Sequence, residues 1–200
     1  MKDNWEGRLD FQRAESMVRK LAQYVVAMRA EGRSLLGVEK DFDVALGAVV
    51  VDAAAPRDAV LRGQVDRLEV DGEGRLVVVD LKTGKRQPGK GELSRHPQLG
   101  AYQAAVVAGG FEAGPNGSGS SGGAVLAQLG TGAKNPSIQQ QEPLDPQENW
   151  ALDMVKDAAA VMGGSEFVAR HDPAKGSHGG HGCRLPEVCP LCARGRQVTE

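Results

Sequence analysis

The chain has 200 residues, enough for one domain or one domain with an appendage, and an apolar fraction of 40% that supports a core. Aromatic residues make up only 4%, so that core is built mainly from Val, Leu and Ala. A formal net charge of −2 excludes a globally basic nucleic-acid binder, no apolar run is long enough to span a membrane, and the opening MKDNWEGRLD lacks the apolar region of a signal peptide, which makes the cytoplasm the default compartment.

In chain order, Phe11, Ala14, Met17, Val18, Leu21, Tyr24, Val25 and Met28 recur at i, i+3, i+4 and i+7. This predicts an amphipathic helix over 10–31, closed by Gly32. Residues 35–50 read as a strand region, with Val38, Phe42, Val44 and Leu46 as its apolar positions, and 52–58 as a loop. Residues 60–82 then read as two apolar runs around an Asp-Gly-Glu-Gly turn, a predicted hairpin.

The hairpin carries the most informative side chains. Asp66 lies in its first strand, Asp80 at the end of its second, and Lys82 two residues on. Residues i and i+2 of a strand share a face, so Asp80 and Lys82 point the same way, and pairing of the strands brings Asp66 close to both. Asp80 ends the run Leu76-Val77-Val78-Val79, and a carboxylate abutting a buried strand needs a partner or a metal. Two carboxylates and a lysine at a strand end suit divalent-metal phosphodiester chemistry. The plain alternative for each is a solvated charge at a turn.

Lys82, Lys85, Arg86, Lys90 and Arg95 stand against Glu92 alone over 82–95, placing local positive charge beside the acidic pair. An ordinary solvated basic loop is the alternative. Residues 87–92, rich in Pro and Gly, read as a flexible loop. A helix is predicted from His96 to Ala108, opening near Pro97 and putting Gln98 and Tyr102 on one face at i, i+4. Residues 112–123 (EAGPNGSGSSGG) read as a flexible surface insertion without chemistry. Ala124–Leu129 reads as a buried strand with Pro136–Pro143 beside it, and Asp145-Pro146 as the start of a helix through about Met162. From Asp172 the chain is rich in Gly, His, Pro and Cys without periodicity, which divides it into a core, 1–170, and a tail, 171–200.

Gly63-x-x-Asp66-Arg67, then Asp80-Leu81-Lys82-Thr83-Gly84, then Gln98-Leu99-Gly100-Ala101-Tyr102, with the closing GRQVT, resembles the RecB-like branch of the PD-(D/E)XK nucleases. Within it, the chain is similar to the C-terminal nuclease domains of actinobacterial AdnA/AdnB-type helicase–nucleases, over about residues 10–198. The resemblance implies an α/β fold: a restriction-endonuclease-like core of a central mixed sheet flanked by helices, with a Cys-rich C-terminal tail. It implies a Mg²⁺- or Mn²⁺-dependent deoxyribonuclease, with exonuclease action the expectation and endonuclease action left open. The expected substrate is single-stranded DNA or duplex ends, and the expected setting is double-strand-break repair or end resection beside a helicase.

By the same resemblance Asp66, Asp80 and the Leu81 carbonyl are metal ligands. Lys82 positions the attacking water, Gln98 bonds near Lys82 or the phosphate, and Tyr102 contacts DNA, unless it is a half-buried core aromatic. Arg67 touches phosphate or pairs with Glu69. Glu39, within GVEKDF, resembles a recurrent family glutamate with a structural or weakly catalytic role.

Cys183, Cys189 and Cys192 form a second constellation. Several RecB-like nucleases pin a 4Fe–4S cluster with three C-terminal cysteines and one far upstream. This chain has no upstream cysteine, so structural Zn²⁺ with His178 or His181 as fourth ligand, and reduced thiols, stay open. The metal-ligating histidine that many family members carry before the first strand is also absent; the first histidine is His96. Both absences suggest a C-terminal piece of a longer protein. A catalytically inactive nuclease-fold module that binds DNA or scaffolds a helicase complex is the rival reading.

Overall fold

The computed structural model describes residues 5–51, 55–114, 117–145 and 148–165. They form one compact unit, Met1–Gly163, apart from Gly164 and Ser165, which open a second unit running to Glu200. The cysteine constellation and the histidines beside it lie outside the described residues.

The unbroken apolar run Leu76–Val79 fits a strand buried on both faces, and the sheet is built around it. Among the described residues five strands lie side by side in sequence order. β1 (Ser34–Val49) pairs antiparallel with β2 (Arg57–Val70), and β2 antiparallel with β3 (Leu76–Lys82). β3 pairs parallel with β4 (Ser121–Gln128), and β4 antiparallel with β5 (Ser137–Gln141). The parallel pair requires a crossover, supplied by α2 (Lys90–Leu93) and α3 (Pro97–Val107).

Alternation along β3 divides the core. Val77 and Val79 pack with Val125 and Ala127 against Tyr24 and Met28 of α1 (Trp5–Ala30). Leu76 and Val78 pack on the opposite face with Phe42, Leu68, Leu99, Val106 and Leu126, under α3. Two residues beyond Val78, Asp80 falls on the α3 face, and Lys82 follows it there.

Several expectations are corrected. The first helix starts at Trp5 rather than residue 10, and only Lys20, Tyr24 and Met28 of it are buried; Phe11 and Val18 are 56% and 66% exposed. A 26-residue helix is about 39 Å long, whereas the seven-residue β3 and eight-residue β4 it packs against span only about 23–26 Å, so α1 outruns them. Lys20, a polar position in the pattern, is buried because its ammonium donates to the carbonyls of Leu129 at 2.9 Å and Thr131 at 2.6 Å.

Within the predicted loop 87–92 the short α2 begins, where Glu92 reaches back to accept the Gly89 N–H at 2.9 Å. The glycine-rich stretch 112–123 is tied to the hairpin turn: Ser118 donates its N–H to the Gly74 carbonyl at 2.7 Å, and β4 already begins at Ser121. The last helix, α4 (Trp150–Gly163), opens at Trp150 rather than at Asp145. Asn149 caps it by accepting the Leu152 N–H at 3.0 Å. The indole of Trp150 lies over Gly100 of α3, where a Cβ would collide with it.

Candidate active site

The ladder between β2 and β3 ends at the pair Arg67–Val79. Beyond it the N–H of Leu81 finds its acceptor in a side chain, Asp66 Oδ2, at 2.7 Å. Asp66 is exposed, and this bond holds it beside the end of β3.

Asp80 is only 2% exposed. Lys82 Nζ donates to its Oδ1 at 3.1 Å and lies 2.9 Å from Oδ2 as an ion pair, but no donor is aimed at Oδ2. Burial pushes the Asp80 carboxyl above its ordinary range. The hydrogen bond and charge of Lys82 oppose that shift, the Asp66 charge adds to it, and a charge on His96 opposes it.

Lys82 Nζ also donates to Gln98 Oε1 at 2.9 Å, and Gln98 Nε2 donates to the Tyr102 hydroxyl at 2.9 Å. The i, i+4 spacing on α3 lines these two up over the strand end. The Tyr102 ring is half-buried, edge-on to Phe42 at 6.1 Å and 88°. Asp66, Asp80, Lys82, Gln98 and Tyr102 are thus joined at one end of the sheet, along a chain of bonds running from carboxylate to lysine to amide to phenol.

Arg67 is not part of it. Its Nε donates to Glu69 at 2.5 Å, within a buried group on the α1 face that includes Tyr24 and Arg33. Glu39 is exposed and stands at φ 49°, between the pairs Val38–Arg67 and Lys40–Val65 and so across from Asp66. Of the basic stretch, Arg95 leaves for the Trp150 ring, 6.0 Å from its centroid, while Lys85 and Arg86 are exposed.

The pattern reading overlooked His96 and Gln128. His96 precedes α3 and lines a hollow beside Lys82; Gln128 pairs with Lys82 across β3 and β4. A histidine two residues before Gln98, at a Pro-opened helix start, was a usable signal. Gln128 was not recognisable without the register.

Among the described residues no group of three or more His, Cys, Asp or Glu side chains is arranged to hold a metal ion. The donor set nevertheless has the right chemistry for a hard divalent cation: two adjacent carboxylates, one buried with an oxygen that no hydrogen bond satisfies.

The model of the PD-(D/E)XK nuclease superfamily matches residues 2–190, and the chain belongs to that superfamily. Its mixed sheet with flanking helices is consistent with that fold. Among solved structures, the crystal structure of SSO0001 is similar at 14% identity and a TM-score of 0.45, over 86% of this chain and 68% of that one. No curated protein matches the chain. Among the described residues no helix is long and apolar enough to cross a membrane.

Proposed function

We propose that the chain is a RecB-like deoxyribonuclease, dependent on Mg²⁺ or Mn²⁺, that hydrolyses DNA from ends beside a helicase during break repair or resection. Superfamily membership supports the nuclease class. The observation that carries the assignment to this site is the buried Asp80 joined through Lys82 to Gln98.

Asp80, Asp66 and the Leu81 carbonyl are the groups that would hold the cation. When bound, it supplies charge neutralisation and an acidified water. Asp80 anchors from a buried position, where competing water is excluded. Lys82, half-exposed and held by Asp80 and Gln98, presents its ammonium to the charge that builds on the scissile phosphate. Gln98 fixes that ammonium's direction, and Tyr102 fixes Gln98. Two carboxylates fill only part of an octahedral shell, so the requirement for free metal is high and Mn²⁺ is favoured over Mg²⁺.

The RecB-like placement and the helicase rest on the motif order Asp66, Asp80-x-Lys82, Gln98-x-x-x-Tyr102. The division into a 1–170 core and a 171–200 tail, a cytoplasmic setting, and a 4Fe–4S cluster on Cys183, Cys189 and Cys192, with Zn²⁺ as the alternative, belong to the same proposal. Metal analysis of anaerobically purified protein tests the tail: neither iron nor zinc, with all three thiols open to alkylation, refutes it.

The lack of a third metal-binding side chain among the described residues favours a second reading, an inactive DNA-binding or scaffolding module. A divalent-metal titration of DNA cleavage and DNA retention separates the two. The nuclease cuts only with metal and stops with chelator; the inactive module retains DNA equally in both and leaves it intact.

A further inference from the structure

The first helix carries more apolar surface than the sheet uses. Lys20, Tyr24 and Met28 are its buried residues. Phe11, Ala14, Val18 and Ala22 are exposed, and Val25 is half-buried. At about 100° per residue these five fall within roughly 80° of one another, and they centre roughly 120° around the helix from the buried line. The apolar pattern of α1 is therefore two stripes, one turned to the sheet and one turned mainly to water.

The steps along the outer stripe, from Phe11 to Val25, are three, four, four and three residues. Steps of three and four make a helix-pairing seam, and this series reads the same in either direction. An antiparallel helix of the same sequence, related by a two-fold axis at Val18, meets it layer for layer. Phe11 falls on Val25 of the second copy, Ala14 on Ala22, and Val18 on its own counterpart. The alanine layers let the two backbones approach, and the Phe–Val layers close the ends. The charges agree with this register. Glu15 and Arg19, both exposed, lie along one flank of the seam and pair with each other at 3.4 Å. Antiparallel pairing sets that flank against its own copy, and brings Glu15 within about 3 Å along the axis of the level of Arg19 of the second copy. Arg29, exposed and next on the same line after Val25, ends the seam.

We propose that α1 pairs antiparallel with α1 of a second copy of this chain, on a two-fold axis at Val18. The placement of the sheet leaves room for it. Tyr24 and Met28 pack on the body of the sheet, and Lys20 binds the Leu129 carbonyl at its edge, next to Lys82. The two sheets then extend from the axis in opposite directions, with the Lys82 end of each nearest the axis. The N-terminal half of each helix, which outruns its own sheet, lies along the C-terminal half of the other. The paired strip over 11–25 is about 22 Å by 11 Å, roughly 250 Å² per copy. That is below the roughly 800 Å² per partner of a stable complex, so the dimer is weak and reversible, dissociating in the micromolar range.

The experiment is sedimentation equilibrium of the full chain over a series of concentrations, with circular dichroism of each variant to guard against loss of fold. Wild type is expected to show a reversible monomer–dimer equilibrium. Val18→Glu, which sets two like charges on the axis, is expected to weaken it at least about tenfold. Glu15→Arg is expected to weaken it about threefold, and Glu15→Arg combined with Arg19→Glu to restore it. Under mild oxidation Val18→Cys is expected to join position 18 to position 18 of the second copy, mapped by peptide mass spectrometry, whereas Phe11→Cys does not join to itself. A chain that is monomeric at every concentration, a dimer unmoved by Val18→Glu, a charge swap that fails to restore association, or self-linking as ready at Phe11→Cys as at Val18→Cys (a parallel pair) each overturns the proposal. So does co-sedimentation of the monomer with anionic phospholipid vesicles that Val18→Glu abolishes, which gives the face to a membrane surface. None of these measurements uses DNA, so their outcome is independent of whether the chain cuts it.

Discussion

Asp80 shows what one residue gains and loses by its place in a strand. The alternation that buries Val78 also buries the carboxylate two residues later, and burial is the largest influence on its proton affinity, upward. With a folded pKa above the unfolded one, the folded state binds more protons between the two values. Stability therefore rises as pH falls through that window, and the ionised carboxylate costs stability above it. Asp80→Asn removes the titration, and Lys82, 38% exposed, can turn to water and Gln98. The variant is expected to be more stable than wild type at neutral pH, with the gap closing on acidification through the Asp80 titration. Denaturant unfolding at a series of pH values checks it; a variant less stable at pH 7 contradicts it. Glu39 poses a different residue-scale question. Its φ of 49° is a left-handed conformation that costs a non-glycine residue roughly 1–2 kcal/mol. Glu39→Gly relieves that cost but loosens the unfolded chain, so stability is expected to change by less than about 1 kcal/mol. If the carboxylate matters to the site, cleavage falls while the melting temperature holds; unchanged cleavage assigns Glu39 a purely structural place.

At the scale of elements, α1 is fastened to the sheet by polar groups as much as by its apolar stripe. Tyr24 shares its hydroxyl between both oxygens of Glu69, each at 3.0 Å, and Arg67 and Arg33 neutralise that carboxylate from either side. Burial, and then the Glu69 charge, hold the Tyr24 phenol well above its ordinary pKa, so it remains the donor. Tyr24→Phe loses a bond to a fully buried charge, expected to cost about 1.5–3 kcal/mol. Calorimetry should show the melting temperature falling about 2–4 °C per kcal/mol, and an unchanged value would remove the network from the stability account. These bonds also mark the limit of the sequence reading. The hairpin, β4 with β5, and α3 followed from periodicity and turn residues. The burial of Lys20 did not, because its acceptors are carbonyls distant in sequence, and for Glu69 only the neighbouring Arg67 was legible as a partner, whereas Tyr24 and Arg33 come from far along the chain. The extent of α1 was misjudged for a related reason: a helical stripe on the sequence does not say how much sheet lies beneath it. The opening of α4 was misplaced because Asp145-Pro146 and Asn149 offer competing starts, and only the Asn149 bond to Leu152 decides between them.

For the whole molecule, the mixed sheet matters because it carries three separately weak motifs to one place. Asp66 arrives on β2, Asp80 and Lys82 on β3, and Gln98 and Tyr102 on the crossover helix that the parallel β3–β4 pair demands. The motif order in sequence was legible because each motif is a short run carried by a single element. The hollow beside it was not, because Lys85, His96 and Gln128 come from three segments with no shared pattern. This assembly is expected to cut DNA with metal. The direct measurement is cleavage of labelled single-stranded and duplex oligonucleotides in Mn²⁺ and in chelator by wild type, Asp80→Ala and Lys82→Ala, with fold and DNA binding monitored alongside. Wild type is expected to cut only with metal, and each variant to lose at least about a hundredfold in rate while still folding and binding. Equal cleavage by all three proteins, or bound DNA left intact by wild type at saturating metal, would contradict it.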